Sequence, residues 1–155
     1  MQVLPGPALT QPLHHPVRIG DRLTRGNLFL APVAGYSDAE FRSVCADAGC
    51  DLAYTEMVSS EALTRGHLKT EVLLGREPNE PDYAVQLFGS DPDVMARAAV
   101  IVAGRWKPLI IDVNCGCPVP KITRTGAGSA LMKNPGTIRD IVAAMTASVD
   151  IPVTV

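Results

Sequence analysis

The chain has 155 residues, 46% hydrophobic and 19% charged, with a net charge of −2. That balance suits one globular domain and gives no global attraction to nucleic acid, so any such binding must come from a local patch. No apolar run approaches the roughly 18 residues of a membrane span, and four cysteines in a chain this rich in core residues suit a reducing cytoplasm better than a disulfide framework.

Residues 1–17 lack the basic flank and continuous apolar core of a secretion signal and read as a disordered tail. His14 and His15 there read as solvated rather than as metal ligands, and no metal is expected elsewhere. The folded unit is then 18–155. Arg18 to Asn27 reads as a short hairpin or lead-in around Gly20-Asp21 and Gly26-Asn27. Leu28 to Ala31 reads as a buried strand closed by Pro32-Val33-Ala34-Gly35. Ser37 or Asp38 can cap the next helix, which is expected to bury Phe41, Val44, Cys45 and Ala48 and to stop at Gly49.

Leu52 to Met57 reads as a second strand, followed by a helix over Ser59 to Arg65 and a polar loop over Gly75 to Asp82. Tyr83 to Phe88 reads as a third strand. Ser90 or Asp91 caps a helix to Ala103, with Pro92 in the first turn, where proline is tolerated. Leu109-Ile110-Ile111 is short and fully apolar, as in a strand buried on both faces. A helix over Gly136 to Ser148 and the start of a fifth strand, Ile151 to Val155, complete the pattern.

Alternating strands and helices imply a parallel sheet with right-handed crossovers. An open doubly wound sheet and a closed (β/α)8 TIM barrel both satisfy that. No glycine-rich dinucleotide fingerprint follows the first strand, and polar residues collect at the carboxyl ends of strands: Glu56, Gln86, Asn114. In barrels that rim carries the chemistry, and a barrel takes about 250 residues. The expectation is therefore the first half of a barrel, strands 1–4 and the start of strand 5. Its open, apolar sheet edges would favour self-association.

The chemistry concentrates after the fourth strand, in Asp112-Val113-Asn114-Cys115-Gly116-Cys117-Pro118-Val119-Pro120-Lys121. Pro118 biases Cys117 towards extended backbone, so a stiff loop presents its thiol. Alone, this is equally an ordinary strand exit with a buried cysteine. Strand parity places Cys115, while Cys117 lies past Gly116 in the loop, where parity no longer constrains it. Asn114 shares a face with Asp112, while Cys115 follows Ile111 and Val113 towards the helices and reads as packing. Gln86 and Asn114 can each bond backbone or a planar heterocycle such as a flavin or a pyrimidine. Glu56 reads as structural and Met57 as packing. Lys121 and Arg124 flank the small-residue loop Thr125-Gly126-Ala127-Gly128-Ser129, a solvated basic face or a phosphate contact.

The chain resembles the flavin-dependent tRNA-dihydrouridine synthases. The matching segments are Leu30-Ala31-Pro32-Val33-Ala34-Gly35 with Asp38 and Phe41-Arg42, Tyr54-Thr55-Glu56-Met57, Val85 to Pro92, Asp112 to Lys121, Gly126 to Leu131 and Ile151 to Val155. Val33 stands where the family often has methionine, and Cys115 where methionine or another residue is usual.

The resemblance implies an FMN-binding barrel that uses NADPH to reduce a uridine in tRNA. Pro32, Val33, Ala34 and Gln86 would contact FMN, and Asn114 would help hold the uracil. Cys117 would protonate C5 after hydride reaches C6. Lys121 and Arg124 would lie towards the tRNA. An ordinary thiol, of pKa about 8.5, keeps its proton at neutral pH where a carboxylic acid is ionised. The resemblance further implies a lysine just past Val155, and little flavin binding or activity for 155 residues alone. The rivals are a dihydroorotate-type FMN barrel acting on a free pyrimidine, a truncated inactive relative, and a redox or metal module built on Cys115 and Cys117. A Cys-x-Cys alone offers too few ligands for a structural zinc site.

Overall fold

A computed structural model describes residues 12–80 and 82–155. Most of the expected disordered tail lies outside the described residues. Its described end is tied down: Asn27 Nδ2 donates to Leu13 O at 2.9 Å, and His14 Nε2 lies 2.9 Å from Asp51 Oδ2.

The chain enters through an antiparallel hairpin, β1 (Arg18–Ile19) and β2 (Arg22–Leu23). Gly20 turns it at φ +61, and a Cβ there would meet Pro152 Cγ at 3.1 Å. The parallel elements follow: β3 (Phe29–Leu30), α1 (Ala39–Asp47), β4 (Leu52–Tyr54), β5 (Val58–Ser59), α2 (Ser60–Thr64), α3 (Leu68–Val72) and β6 (Tyr83–Phe88). After these come α4 (Pro92–Arg105), β7 (Ile110–Val113), α5 (Pro120–Thr123), a 3-10 turn (Gly128–Lys133), α6 (Pro135–Thr146) and β8 (Val153–Thr154). Among the described residues the sheet order is β3-β4-β6-β7-β8, all parallel, with β5 paired to β6. The fold is a mostly parallel α/β sheet, consistent with part of a TIM-barrel-like domain, with β3 and β8 as its outer strands.

The register sorts the side chains into two layers. Ala84 pairs with Ile110 and Gln86 with Asp112, so these four share a face. Val85, Leu87, Ile111 and Val113 take the other face and pack on Met95, Ala98 and Val102 of α4 and Ile141 and Met145 of α6. The inner face begins with a small apolar layer, Leu52, Ala84 and Ile110. It turns polar one step further towards the carboxyl ends. Asp91 caps α4 by accepting Val94 N–H at 3.0 Å, and Asp38 caps α1 through Phe41 N–H at 2.9 Å, both as expected.

Four sequence expectations are corrected. The second strand breaks after Tyr54 and resumes as β5, because Thr55 Oγ1 accepts Gln86 N–H and Thr55 N donates to Ala84 O. The helical segments α3, α5 and the 3-10 turn stand where none was expected. The face of α1 expected to be buried is open, with Phe41 42% and Val44 65% exposed. That face borders the outer strand β3, where a cavity lined by Leu28, Leu30, Cys45 and Cys50 opens. Finally, the loop at 75–80 is not simply polar, because it delivers a buried acid. Glu80 is 2% exposed and accepts Arg42 Nε at 2.6 Å and Nη2 at 3.0 Å.

Tyr83 sits behind that pair. Its hydroxyl donates to Leu74 O at 3.0 Å, and burial pushes its pKa up to about 12, against a partial pull downward from Arg76 and Arg42. The unfolded phenol ionises near pH 10 while the folded one stays protonated. Stability from this group is therefore full below pH 10 and lost as pH rises towards 12. Tyr83→Phe is expected to lower stability at neutral pH by about 1 kcal/mol and to flatten the alkaline loss. Urea unfolding at pH 8 to 11 measures both, and equal alkaline slopes would reject the assignment.

Candidate active site

Four loops and strand ends meet at the carboxyl edge of the sheet. Pro32, Val33 and Ala34 follow β3, Met57 follows β4, Gln86 lies on the inner face of β6, and Asn114, Gly116 and Cys117 follow β7. Together they line one cavity of about 350 Å³. Of the expected site residues, the structure thus gathers Pro32, Val33, Ala34, Gln86, Asn114 and Cys117. It adds Met57, which the sequence suggested only as packing. Lys121 and Arg124 lie outside the cavity lining, exposed in the turn of α5 and at its cap. A roomier cavity, about 540 Å³, opens at the opposite end of the strands between Lys107–Leu109 and Ser148–Ile151, and none of the expected residues reaches it.

The walls are braced from behind. Ser37 is fully buried, accepts Val33 N–H at 2.9 Å and donates back to Val33 O at 3.1 Å. Arg42 Nη1 in turn donates to Ser37 O at 2.9 Å, so the Arg42–Glu80 pair supports the Pro32–Ala34 wall. Glu56 has a definite structural role: its Oε2 accepts Gly35 N–H at 2.6 Å across the rim.

The floor is a chain of polar contacts. Thr154 Oγ1 lies 2.5 Å from Asp112 Oδ1, and Gln86 Nε2 donates to Asp112 Oδ2 at 2.7 Å. Asn114 Nδ2 donates to Gln86 Oε1 at 2.8 Å, and Cys117 N–H donates to Asn114 Oδ1 at 3.0 Å. Gln86 is 7% and Asp112 8% exposed, so solvent substitutes poorly for any link. Asp112 is the functional neighbour that sequence reasoning passed over. Its signal was a carboxylate in an apolar run at the same parity as Asn114.

The two cysteines of the motif part company. Cys115 packs against the helix-side core, and burial, helped by the Asp112 charge, raises its thiol pKa. Cys117 lines the cavity. All four cysteines are free thiols, and among the described residues no group of three or more His, Cys, Asp or Glu gathers to hold a metal. No described helix is long and apolar enough to cross a membrane.

The small-residue loop after Arg124 earns its glycines by contact. Ser129 N donates to Cys117 O at 2.9 Å, and Gly126 N to Thr123 O at 3.1 Å, so these amides are already engaged. Gly128 sits at φ +61, and a Cβ there would stand 2.5 Å from Cys117 O. Gly128→Ala combines left-handed strain with a backbone clash and is expected to cost about 2–4 kcal/mol. It should also displace Cys117. Urea unfolding, with the alkylation rate of Cys117 beside it, checks both. A change under 1 kcal/mol would contradict the packing role.

Residues 29–155 match the family model described as dihydrouridine synthase. A probable tRNA-dihydrouridine synthase of Treponema pallidum is 49% identical over 148 residues, covering 92% of this chain and 44% of that protein. A tRNA-dihydrouridine synthase B of Shewanella oneidensis is 39% identical over 138 residues, covering 89% of this chain and 42% of that protein. A probable tRNA-dihydrouridine synthase of Aquifex aeolicus is 35% identical over 118 residues, covering 76% and 37%. The chain therefore spans about two fifths of the length of these curated relatives. Matched along nearly its whole folded part, it belongs to the dihydrouridine synthase family.

Proposed function

We propose that the protein is a cytoplasmic, FMN-dependent tRNA-dihydrouridine synthase that uses NADPH to saturate the C5–C6 bond of a uridine in tRNA. In this reading residues 18–155 are the first half of a (β/α)8 barrel, strands 1–4 and the start of strand 5. The observation that carries it is the convergence of Pro32, Val33, Ala34, Gln86, Asn114 and Cys117 on one cavity at the carboxyl edge of the sheet.

The lining fits a planar heterocycle. Pro32, Val33, Ala34 and Met57 supply apolar surface. Gln86 and Asn114, after the bonds they already make, each keep one N–H and one lone pair for the alternating carbonyls and N–H of a flavin or uracil edge. A bound reduced FMN would supply the hydride that C6 of the uracil takes. Cys117 holds the balancing proton: its S–H bond breaks, a C–H bond forms at C5, and the thiolate regains a proton from solvent. A uridine in folded RNA must first leave its stack, at a cost of a few kcal/mol. Contacts to the RNA backbone offset that cost, and Lys121 and Arg124 are exposed cations a few residues beyond Cys117 that can make them.

The complete purified protein is expected to carry flavin absorbance and, without oxygen, to turn over NADPH beyond one equivalent only with tRNA lacking dihydrouridine. A colourless protein that leaves the uridine intact would overturn the reading. Lys121→Ala with Arg124→Ala should weaken tRNA more than flavin binding. It should also lower the slope of log K against log salt by about 0.7–0.9 per lost phosphate contact. An unchanged slope with normal affinity would remove both residues from the RNA interface.

A further inference from the structure

The geometry points to Asp112 as a positioning residue: its carboxylate, backed by Thr154, sets the donor–acceptor direction of Gln86 and Asn114 and so fixes the face they present and the seat of Cys117. The relay itself is read from the hydrogen bonds. Its consequence for a heterocycle rests on the reading of the cavity as a flavin and uracil site.

An amide can be turned end for end at little cost, so Gln86 and Asn114 do not by themselves choose which atom faces which. Asp112 does choose. Both Asp112 oxygens accept, Oδ1 facing the Thr154 hydroxyl, and the group facing Oδ2 is Gln86 Nε2, at 2.7 Å. That leaves Gln86 Oε1 facing Asn114, which must offer Nδ2, at 2.8 Å. Asn114 Oδ1 is then left for the backbone N–H of Cys117, at 3.0 Å. Reversing the first link reverses all three. It would end with Asn114 Nδ2 against Cys117 N–H, two donors with no acceptor between them.

Thr154 makes this testable. Its hydroxyl lies 2.5 Å from Asp112 Oδ1 and can either donate or accept. In Asp112→Asn the new amide can give its N–H to Thr154 and keep its oxygen towards Gln86, so the direction survives. In Thr154→Val the carboxylate remains acceptor-only, and the direction again survives. With both changes, the amide N–H has no acceptor at position 154. An unsatisfied buried N–H is costly, and turning it towards Gln86 only moves the cost to the Cys117 N–H, so a link of the relay is lost either way. Two tolerated changes therefore combine into a defect, as expected of two groups in one hydrogen-bond network.

The experiment uses the complete protein and reads Cys117 alkylation by iodoacetamide in the flavin-free form, followed by peptide mass spectrometry, with the FMN dissociation constant measured in parallel. Each single variant should stay within about threefold of wild type in alkylation, while the double variant should react at least tenfold faster and bind FMN at least tenfold more weakly. A double variant equal to the product of the singles would overturn the proposal. Should the double variant fail to fold, a neutron structure of the wild type decides: deuterons on Gln86 facing Asp112 support the direction, and the reverse assignment overturns it. If wild type takes up no FMN, the cofactor reading falls, and alkylation still decides the relay.

Discussion

Arg42→Ala should cost about 3–5 kcal/mol, because it strands the Glu80 carboxylate in the interior without its partner. Arg42 is fully buried and donates twice to Glu80, once to Ser37 O and once to Gly75 O, with its guanidinium 5.6 Å from the centroid of the Tyr83 ring. The loss should therefore reach the cavity. Without Arg42, Ser37 loses the group that holds its carbonyl, and the Val33 wall that Ser37 braces loosens. Replacing both charges, Arg42→Met with Glu80→Leu, should recover much of the stability, since an apolar pair leaves no buried charge. Urea unfolding of the complete protein measures all three variants. A loss below 1 kcal/mol for Arg42→Ala would mean that water reaches Glu80, contrary to its 2% exposure.

Elements whose local and global preferences agree were legible from residues alone. Tyr83–Phe88 forms the strand its apolar run indicated, and α4 starts at the Asp91 cap with Pro92 in its first turn. The helix-side place of Cys115 follows from a period of two, and Cys117 escapes it because it lies past Gly116, in the loop beyond the strand. The α1 face was misread for a different reason. Phe41 and Val44 have apolar spacing, but spacing reports a face without saying whether a neighbour covers it. Short segments such as α3 and α5 are too brief to show a period, and tertiary contacts decide them. Partner choice was equally hidden. Glu77 and Glu80 both lie in the loop that meets Arg42, and only the folded chain selects Glu80. The glycines near Arg124 suggested a phosphate cradle, yet Gly128 is needed for its approach to the Cys117 carbonyl.

The choice of proton donor carries the largest kinetic effect. Cys117 lines the cavity that holds Gln86 and Asn114, while Cys115 packs on the helix side with its thiol pKa raised by burial. In the complete protein, Cys117→Ala should leave NADPH-driven flavin reduction intact and slow uridine reduction by about 10²–10⁴-fold, the usual loss for a missing general acid. Cys115→Ala should cost packing, by no more than about 1–2 kcal/mol, and leave that step near its wild-type rate. The measurement is single-turnover reoxidation of pre-reduced flavin by tRNA lacking dihydrouridine, followed at the flavin absorbance in both variants. Slow reoxidation in Cys117→Ala alone is the expected result. Slow reoxidation in Cys115→Ala with a normal rate in Cys117→Ala would contradict it.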